Sequence, residues 1–138
     1  MRDLPRQLSV DELAALFSGR SAFVERLAQT EDPLGRAREV ARGLTREEKR
    51  EALATHPRIG ERSAEQHGGD ADVLAELAAL NRDYEERFGF RFIVFVNGRS
   101  REEILPVLRG RLERTEEQEL DTALAELVAI AEDRWRRS

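Results

Sequence analysis

Four side chains have types and positions suited to chemistry: His56, Glu65, Gln66 and Arg134. An imidazole titrates near neutrality, so His56 can transfer a proton or hydrogen-bond a substrate hydroxyl. It precedes Pro57, which disfavours helical geometry at the residue before it, so a helix must end there and a loop begin. From that place a side chain can face a cleft, or do no more than meet the helix C-terminal dipole. Glu65, in a partly apolar cleft, would be held neutral and able to donate a proton. The Gln66 amide, with donor and acceptor side by side, suits a polar heterocycle. Both also fit plain structural work, because Ser63 with Gln66 forms a capping box and a carboxylate is favourable in a first helical turn. Arg134 falls within roughly 40° of Leu120 on the apolar stripe of the last helix, at about 100° per residue. A guanidinium there either snorkels to water or meets a buried anion in a forked pair.

Other chemistries find little to work with. The chain has no cysteine, which removes disulfides, thiolate metal sites and thiol nucleophiles. His67 and His56 do not make a metal-ligand spacing and there is no HExxH, so no metal is expected. Walker-type, GxGxxG and GxSxG patterns are absent, leaving nucleotide and serine-hydrolase readings without support.

The elements that must position these residues are mostly short helices with explicit start signals. Ser9 with Glu12 makes a capping box ahead of Leu13, Leu16 and Phe17, and Gly19 stands where a left-handed residue should close the helix. Ser21 opens a second helix carrying Phe23, Val24 and Leu27, and Pro33 starts a third, with Leu34, Ala37, Val40 and Ala41 on one side. Thr45 and Glu48 cap a fourth, which stops near His56. Residues 57 to 62 read as a loop, and the helix capped by Ser63 is interrupted early by Gly68 and Gly69. From Asp72, Val73, Leu77, Leu80, Tyr84 and Phe88 recur at helical spacing up to Gly89.

The segment FGFRFIVFVNG is strand-like in composition and ends in the Asn97-Gly98 turn signal, but no partner strand follows. An extended or helical connector through the core is expected instead of a sheet. Ser100 and Glu103 then begin a helix through Ile104, Leu105, Leu108 and Leu112, with Pro106 a predicted irregularity. Thr115 and Gln118 cap the last, whose apolar face is Leu120, Leu124, Leu127 and Ala131.

At 138 residues, 40% of them hydrophobic and 37% charged, the chain reads as one domain over 1–138. The formal charge is −5, and the arginines alternate with acidic residues, which points away from duplex nucleic acid. Lys49 is the only lysine, a skew that reads as codon bias or networked ion pairs. The first residues lack an apolar signal core and no apolar run approaches a membrane span, so a cytoplasmic protein is the expectation.

The string HPRIGE at 56 to 61, EQ at 65 and 66, NRDYEERFGFRFIVFVNGRSREEIL from Asn81, and IAEDRW near the end together resemble the OHCU decarboxylase family. These enzymes convert 2-oxo-4-hydroxy-4-carboxy-5-ureidoimidazoline to S-allantoin in urate breakdown. The order and spacing of the pieces, above all from Gln66 through Asn81 to Phe88-Gly89-Phe90, carry the resemblance over most of the chain. It implies an all-α bundle of about seven to eight helices, a homodimer, and no metal or organic cofactor. The family's catalytic histidine and glutamate fall on His56 and Glu65, and its substrate-binding proline, glutamine and arginine on Pro57, Gln66 and Arg134. The resemblance also implies that backbone groups around Phe92, Ile93 and Val94 meet substrate. Two departures stand out: Arg62 occupies the place of a usual serine, with Ser63 one position late, and the segment after HPRIGE is shorter than in the family. A non-catalytic helical binding module, or a decarboxylase or isomerase of another ureido or heterocyclic acid, are the alternatives on the same fold.

Overall fold

The computed structural model describes residues 4–57 and 71–137. It contains seven helices among the described residues: α1 (Val10–Leu16), α2 (Ala22–Ala28), α3 (Pro33–Arg42), α4 (Arg46–Ala54), α5 (Ala71–Phe88), α6 (Arg101–Arg111) and α7 (Glu116–Arg137). The predicted capping boxes form at Ser9, Thr45 and Ser100, and Thr115 and Gln118 exchange the same pair of bonds ahead of α7. Each satisfies amide donors that a helix start would otherwise leave open. No strand occurs among the described residues, so the architecture is all-α.

α7 is the axis of the packing. It contacts α1, α3 and α4, while α2 fills the space between α1, α3 and α4, and α5 pairs with α6. The stripe expected on α7 is the one it buries: Leu120, Leu124, Leu127 and Ala131 are all inside. One continuous apolar cluster takes residues from all seven helices and from Phe90, Phe92, Ile93, Val94 and Val96. None of the helices is long and apolar enough to cross a membrane, among the described residues.

Two local expectations are corrected. The left-handed residue closing α1 is Ser18 (φ 67), not Gly19, whose φ is 155. The Gly19 amide still closes the turn by bonding Ala14 O at 2.8 Å. A side chain there would crowd the end of α4, since a Cβ would lie 3.1 Å from Thr55 Cβ, and Thr55 would have to give way. Pro106 does not interrupt α6, which runs unbroken from Arg101 to Arg111. The proline is exposed, and the Glu102 carbonyl that loses its partner lies on the exposed first turn, where water can replace it.

After a bend at Gly89 and Phe90, residues 91–96 form neither helix nor strand and run through the core without a sheet partner among the described residues. Side chains take over the work of a neighbouring strand. Arg111 Nη1 donates to Ile93 O at 2.5 Å, Phe95 N–H donates to Glu126 Oε1 at 3.3 Å, and Arg99 donates to Phe95 O and Val96 O. Asn97 (φ 50) and Gly98 (φ 77) then reverse the chain, with Arg99 N–H bonding Val96 O at 3.0 Å. Positive φ at both central residues is the geometry that Asn-Gly favours.

Candidate active site

His56 is 8% exposed and follows the end of α4, where its N–H bonds back to Leu53 O. The C-cap, Thr55, keeps helical angles, and Pro57 ends the run as expected. Two contacts hold this end in place. Thr55 Oγ1 donates to Phe17 O (3.1 Å) and Ala52 O (2.9 Å), tying α4 to the last turn of α1. Arg91 Nη1 donates to Ala54 O (3.0 Å) and His56 O (2.8 Å), tying the same end to the 91–96 segment. Pro57 is half-buried beside it.

Arg134 arrives from α7 at the same turn of α1. Its Nη1 donates to Leu16 O at 2.9 Å and to Ser18 Oγ at 2.8 Å. These two acceptors are a carbonyl and a hydroxyl. Ser18 holds its left-handed backbone with its side chain engaged by this guanidinium. The C-termini of α1 and α4, both carrying partial negative charge, are therefore each met by a guanidinium. The Ser18 turn is the junction that gathers Thr55, next to His56, and Arg134, 118 residues from Leu16 in the chain.

Phe92, Ile93 and Val94 are 1%, 1% and 6% exposed. Their side chains belong to the core, where Phe92 meets Tyr84 edge-to-face at 5.4 Å between centroids. Only their backbone can be offered to a ligand. Arg91 lies just before them, and its guanidinium bonds His56 O, which links this stretch to the histidine's segment through one side chain. Glu65, Gln66, Arg62 and Ser63 lie outside the described residues.

Several residues that bind these segments together escape the sequence reading: Ser18, Thr55, Arg91, Arg111 and Glu119. The last two carry a legible signal. Arg111 continues the stripe Ile104–Leu108, and Glu119 precedes Ala123 and Leu127 at helical spacing, so each is a charge on a buried face, as Arg134 is. They pair at 2.7 Å, Arg111 Nε to Glu119 Oε1, and Tyr84 OH donates to the same oxygen at 2.5 Å. Burial first, and then the hydrogen bond to the Glu119 carboxylate, push the Tyr84 phenol far up, in keeping with its place as a donor to Glu119.

A groove of about 380 Å³ lies between α4 and the end of α5, walled by Glu47, Glu51, Glu85, Arg50, Arg91 and Phe90 among others. Its three carboxylates make it a poor receiver of an anion, and neither His56 nor Arg134 lines it. Among the described residues no group of three His, Asp or Glu is arranged to hold a metal ion.

Residues 2–136 match the OHCU decarboxylase family. The uric acid degradation bifunctional protein PucL of Bacillus subtilis is 29% identical over 150 residues, covering 95% of this chain and 30% of its own length. The 2-oxo-4-hydroxy-4-carboxy-5-ureidoimidazoline decarboxylase of Haloferax volcanii is 34% identical over 100 residues, covering 64% of this chain and 60% of its own. The chain thus spans about a third to three-fifths of the length of these relatives. Among solved structures, an OHCU decarboxylase crystallised in the presence of (S)-allantoin superposes with a TM-score of 0.78 at 29% identity, covering 89% of this chain and 94% of that one. An (S)-allantoin synthase shares the fold, with a TM-score of 0.72 at 23% identity over 91% of this chain and 47% of that one.

Proposed function

Since the chain belongs to the OHCU decarboxylase family, we propose that it is a carboxy-lyase that converts 2-oxo-4-hydroxy-4-carboxy-5-ureidoimidazoline to S-allantoin in urate catabolism. What supports this reading most is the meeting of two distant segments on one turn, the His56 end of α4 through Thr55 and the Arg134 end of α7. An imidazole and a guanidinium are what an anionic hydroxy acid needs.

In the proposed reaction the bond from the hydroxyl-bearing carbon to the carboxylate breaks and carbon dioxide leaves. The electron pair moves onto that carbon and is absorbed by the neighbouring ring imine, so the substrate supplies its own electron sink and no cofactor is called for. A proton then arrives at the ureido-bearing carbon, and the hydroxyl proton passes to the ring nitrogen that absorbed the electrons as the hydroxyl becomes the ring carbonyl. His56 hydrogen-bonds that hydroxyl and turns the carboxylate out of the ring plane. Arg134 and Gln66 bind the polar rim, with Pro57 and the backbone of Phe92 to Val94 completing the wall. Glu65 orients the ring or delivers the proton from one face, as a single enantiomer requires. These assignments follow the family's pattern of residues, and Ser63 or Arg62 takes the place of its serine.

The test supplies freshly generated substrate and follows optically active allantoin by circular dichroism. Accelerated formation of the S enantiomer is expected. Racemic product at the spontaneous rate would overturn the assignment and favour a non-catalytic module. A homodimer, the state the family resemblance implies, is part of the same proposal, as is the cytoplasmic location expected from the sequence, and sedimentation of the purified chain checks its assembly.

A further inference from the structure

Arg111 does something an ordinary buried ion pair does not require. Its side chain is 8% exposed, and the guanidinium lies over the Phe92 ring at 4.7 Å. Nε is held by Glu119, whose side chain is fully buried and which also accepts from Tyr84 and from Arg114 Nη1 at 2.9 Å. Nη1 is spent on a main-chain acceptor, Ile93 O, at 2.5 Å, and Nη2 has no acceptor among the described residues. Burying two charges to grip one carbonyl is a weak way to gain stability, since apolar residues of similar volume often do as well. It is a strong way to fix the plane of one peptide.

That plane has a consequence on its other side. No peptide bond among the described residues is cis, so the Ile93 carbonyl and the Val94 N–H point in opposite directions. With the carbonyl turned toward Arg111, the Val94 N–H is turned away from the Arg111–Glu119 pair. Among the described residues the N–H groups of Phe92, Ile93 and Val94 make no hydrogen bond, although all three residues are nearly fully buried. Buried N–H groups are rarely left so, and a ligand oxygen would satisfy them.

We propose that Arg111 is a positioning residue, which by clamping the Ile93 carbonyl aims the Val94 amide at the oxygen of the bound ureidoimidazoline. The inference rests on the functional reading above, in which the Phe92 to Val94 backbone meets substrate. Arg111 touches no substrate itself, and its effect passes through one peptide plane.

The experiment compares the full-length wild type with Arg111→Lys, Arg111→Met, the charge-free double variant Arg111→Met/Glu119→Leu, and Arg114→Gln. Steady-state decarboxylation is measured alongside the ¹⁵N-resolved Val94 amide resonance during titration with (S)-allantoin. Arg111→Met and the double variant are expected to lose about 100-fold in kcat, the scale of losing one aimed donor, with KM changed less than about threefold. In both, the Val94 resonance stops responding to allantoin. Arg111→Lys, which keeps a donor, recovers to within about tenfold of wild type. Arg114→Gln loses a bond to Glu119 but none to Ile93, and should stay within about threefold of wild type. If Arg111→Met does not fold, the double variant decides, because it leaves no buried charge unpaired. A folded double variant with wild-type kcat and a responsive Val94 amide overturns the proposal, as does an Arg114→Gln loss equal to that of Arg111→Met. A wild-type chain that leaves the substrate to its spontaneous rate instead overturns the functional reading, and the positioning role with it.

Discussion

His56 and Arg134 reach the Ser18 turn by different means. The histidine is placed by main-chain anchors, its own carbonyl held by Arg91 and its neighbour Thr55 bonded to Phe17 O. The arginine is placed by helical phase, riding the buried stripe of α7 to the end of α1. Because His56 is anchored through its backbone, removing its imidazole should spare the fold. His56→Ala is therefore expected to lower the decarboxylation rate by about 100- to 10,000-fold, the usual range for general acid–base catalysis, with an unchanged circular dichroism spectrum. A wild-type rate in that variant would remove the mechanism. Arg134→Met has a mixed outcome, because the guanidinium also bonds Leu16 O and Ser18 Oγ. We expect kcat/KM to fall by about 100-fold together with a stability loss of about 1–3 kcal/mol from acceptors left without a donor, read by urea denaturation.

At the scale of elements, the short helices depend on their first turns. Glu48 and Glu103 complete the capping boxes of α4 and α6, and both carboxyls lie below their ordinary value of 4.5, first because of backbone hydrogen bonds from Thr45 and Ser100. A carboxyl whose folded value is depressed adds stability above its unfolded value, and that contribution is lost as pH falls through the folded one. Denaturation midpoints should accordingly decline between about pH 5 and about pH 3, less steeply in Glu48→Gln/Glu103→Gln, which removes both titrating carboxyls. Equal slopes would show that other carboxylates dominate acid unfolding. α5 is a different case, since its stability comes from packing. Leu77 is 1% exposed, and Leu77→Ala should cost about 2–5 kcal/mol in urea denaturation. Its effect on the rate should be small, which separates a core position from a site position.

For the whole molecule, the α5–α6 pair and α7 are joined through a buried polar knot. Glu119 collects Tyr84 from α5, Arg111 from α6 and Arg114 from the turn after it. The Arg109–Glu76 ion pair adds a surface link between α5 and α6. Glu119→Ala leaves the buried Arg111 guanidinium without its carboxylate and should destabilise the chain by about 3–5 kcal/mol. Arg111→Met/Glu119→Leu should lie much nearer to wild type in the same denaturation series. A double variant as unstable as Glu119→Ala would mean that the knot holds the helices together by more than charge balance.

The local signals were enough to place the helices: capping residues, helical spacing of apolar side chains and the stop before Pro57 act within a few residues of one another, so they can be read along the chain. The strand-like run before Asn97-Gly98 lacks a partner strand in the sequence and so reads as a connector, and residues 91–96 are held as one by the aromatic and β-branched side chains that the core buries. The same reading named His56 and Arg134 but put the left-handed turn residue one place late, at Gly19 instead of Ser18. It also passed over Thr55, Arg91, Arg111 and Glu119, although the last two carried charge on buried faces. What only the tertiary structure decided is which carbonyls these side chains meet. Leu16 O meeting Arg134, Ile93 O meeting Arg111 and His56 O meeting Arg91 are pairings across 118, 18 and 35 residues. Main-chain acceptors are the same at every position, so composition cannot distinguish one from another; packing alone selects which of them lies within reach of a given guanidinium.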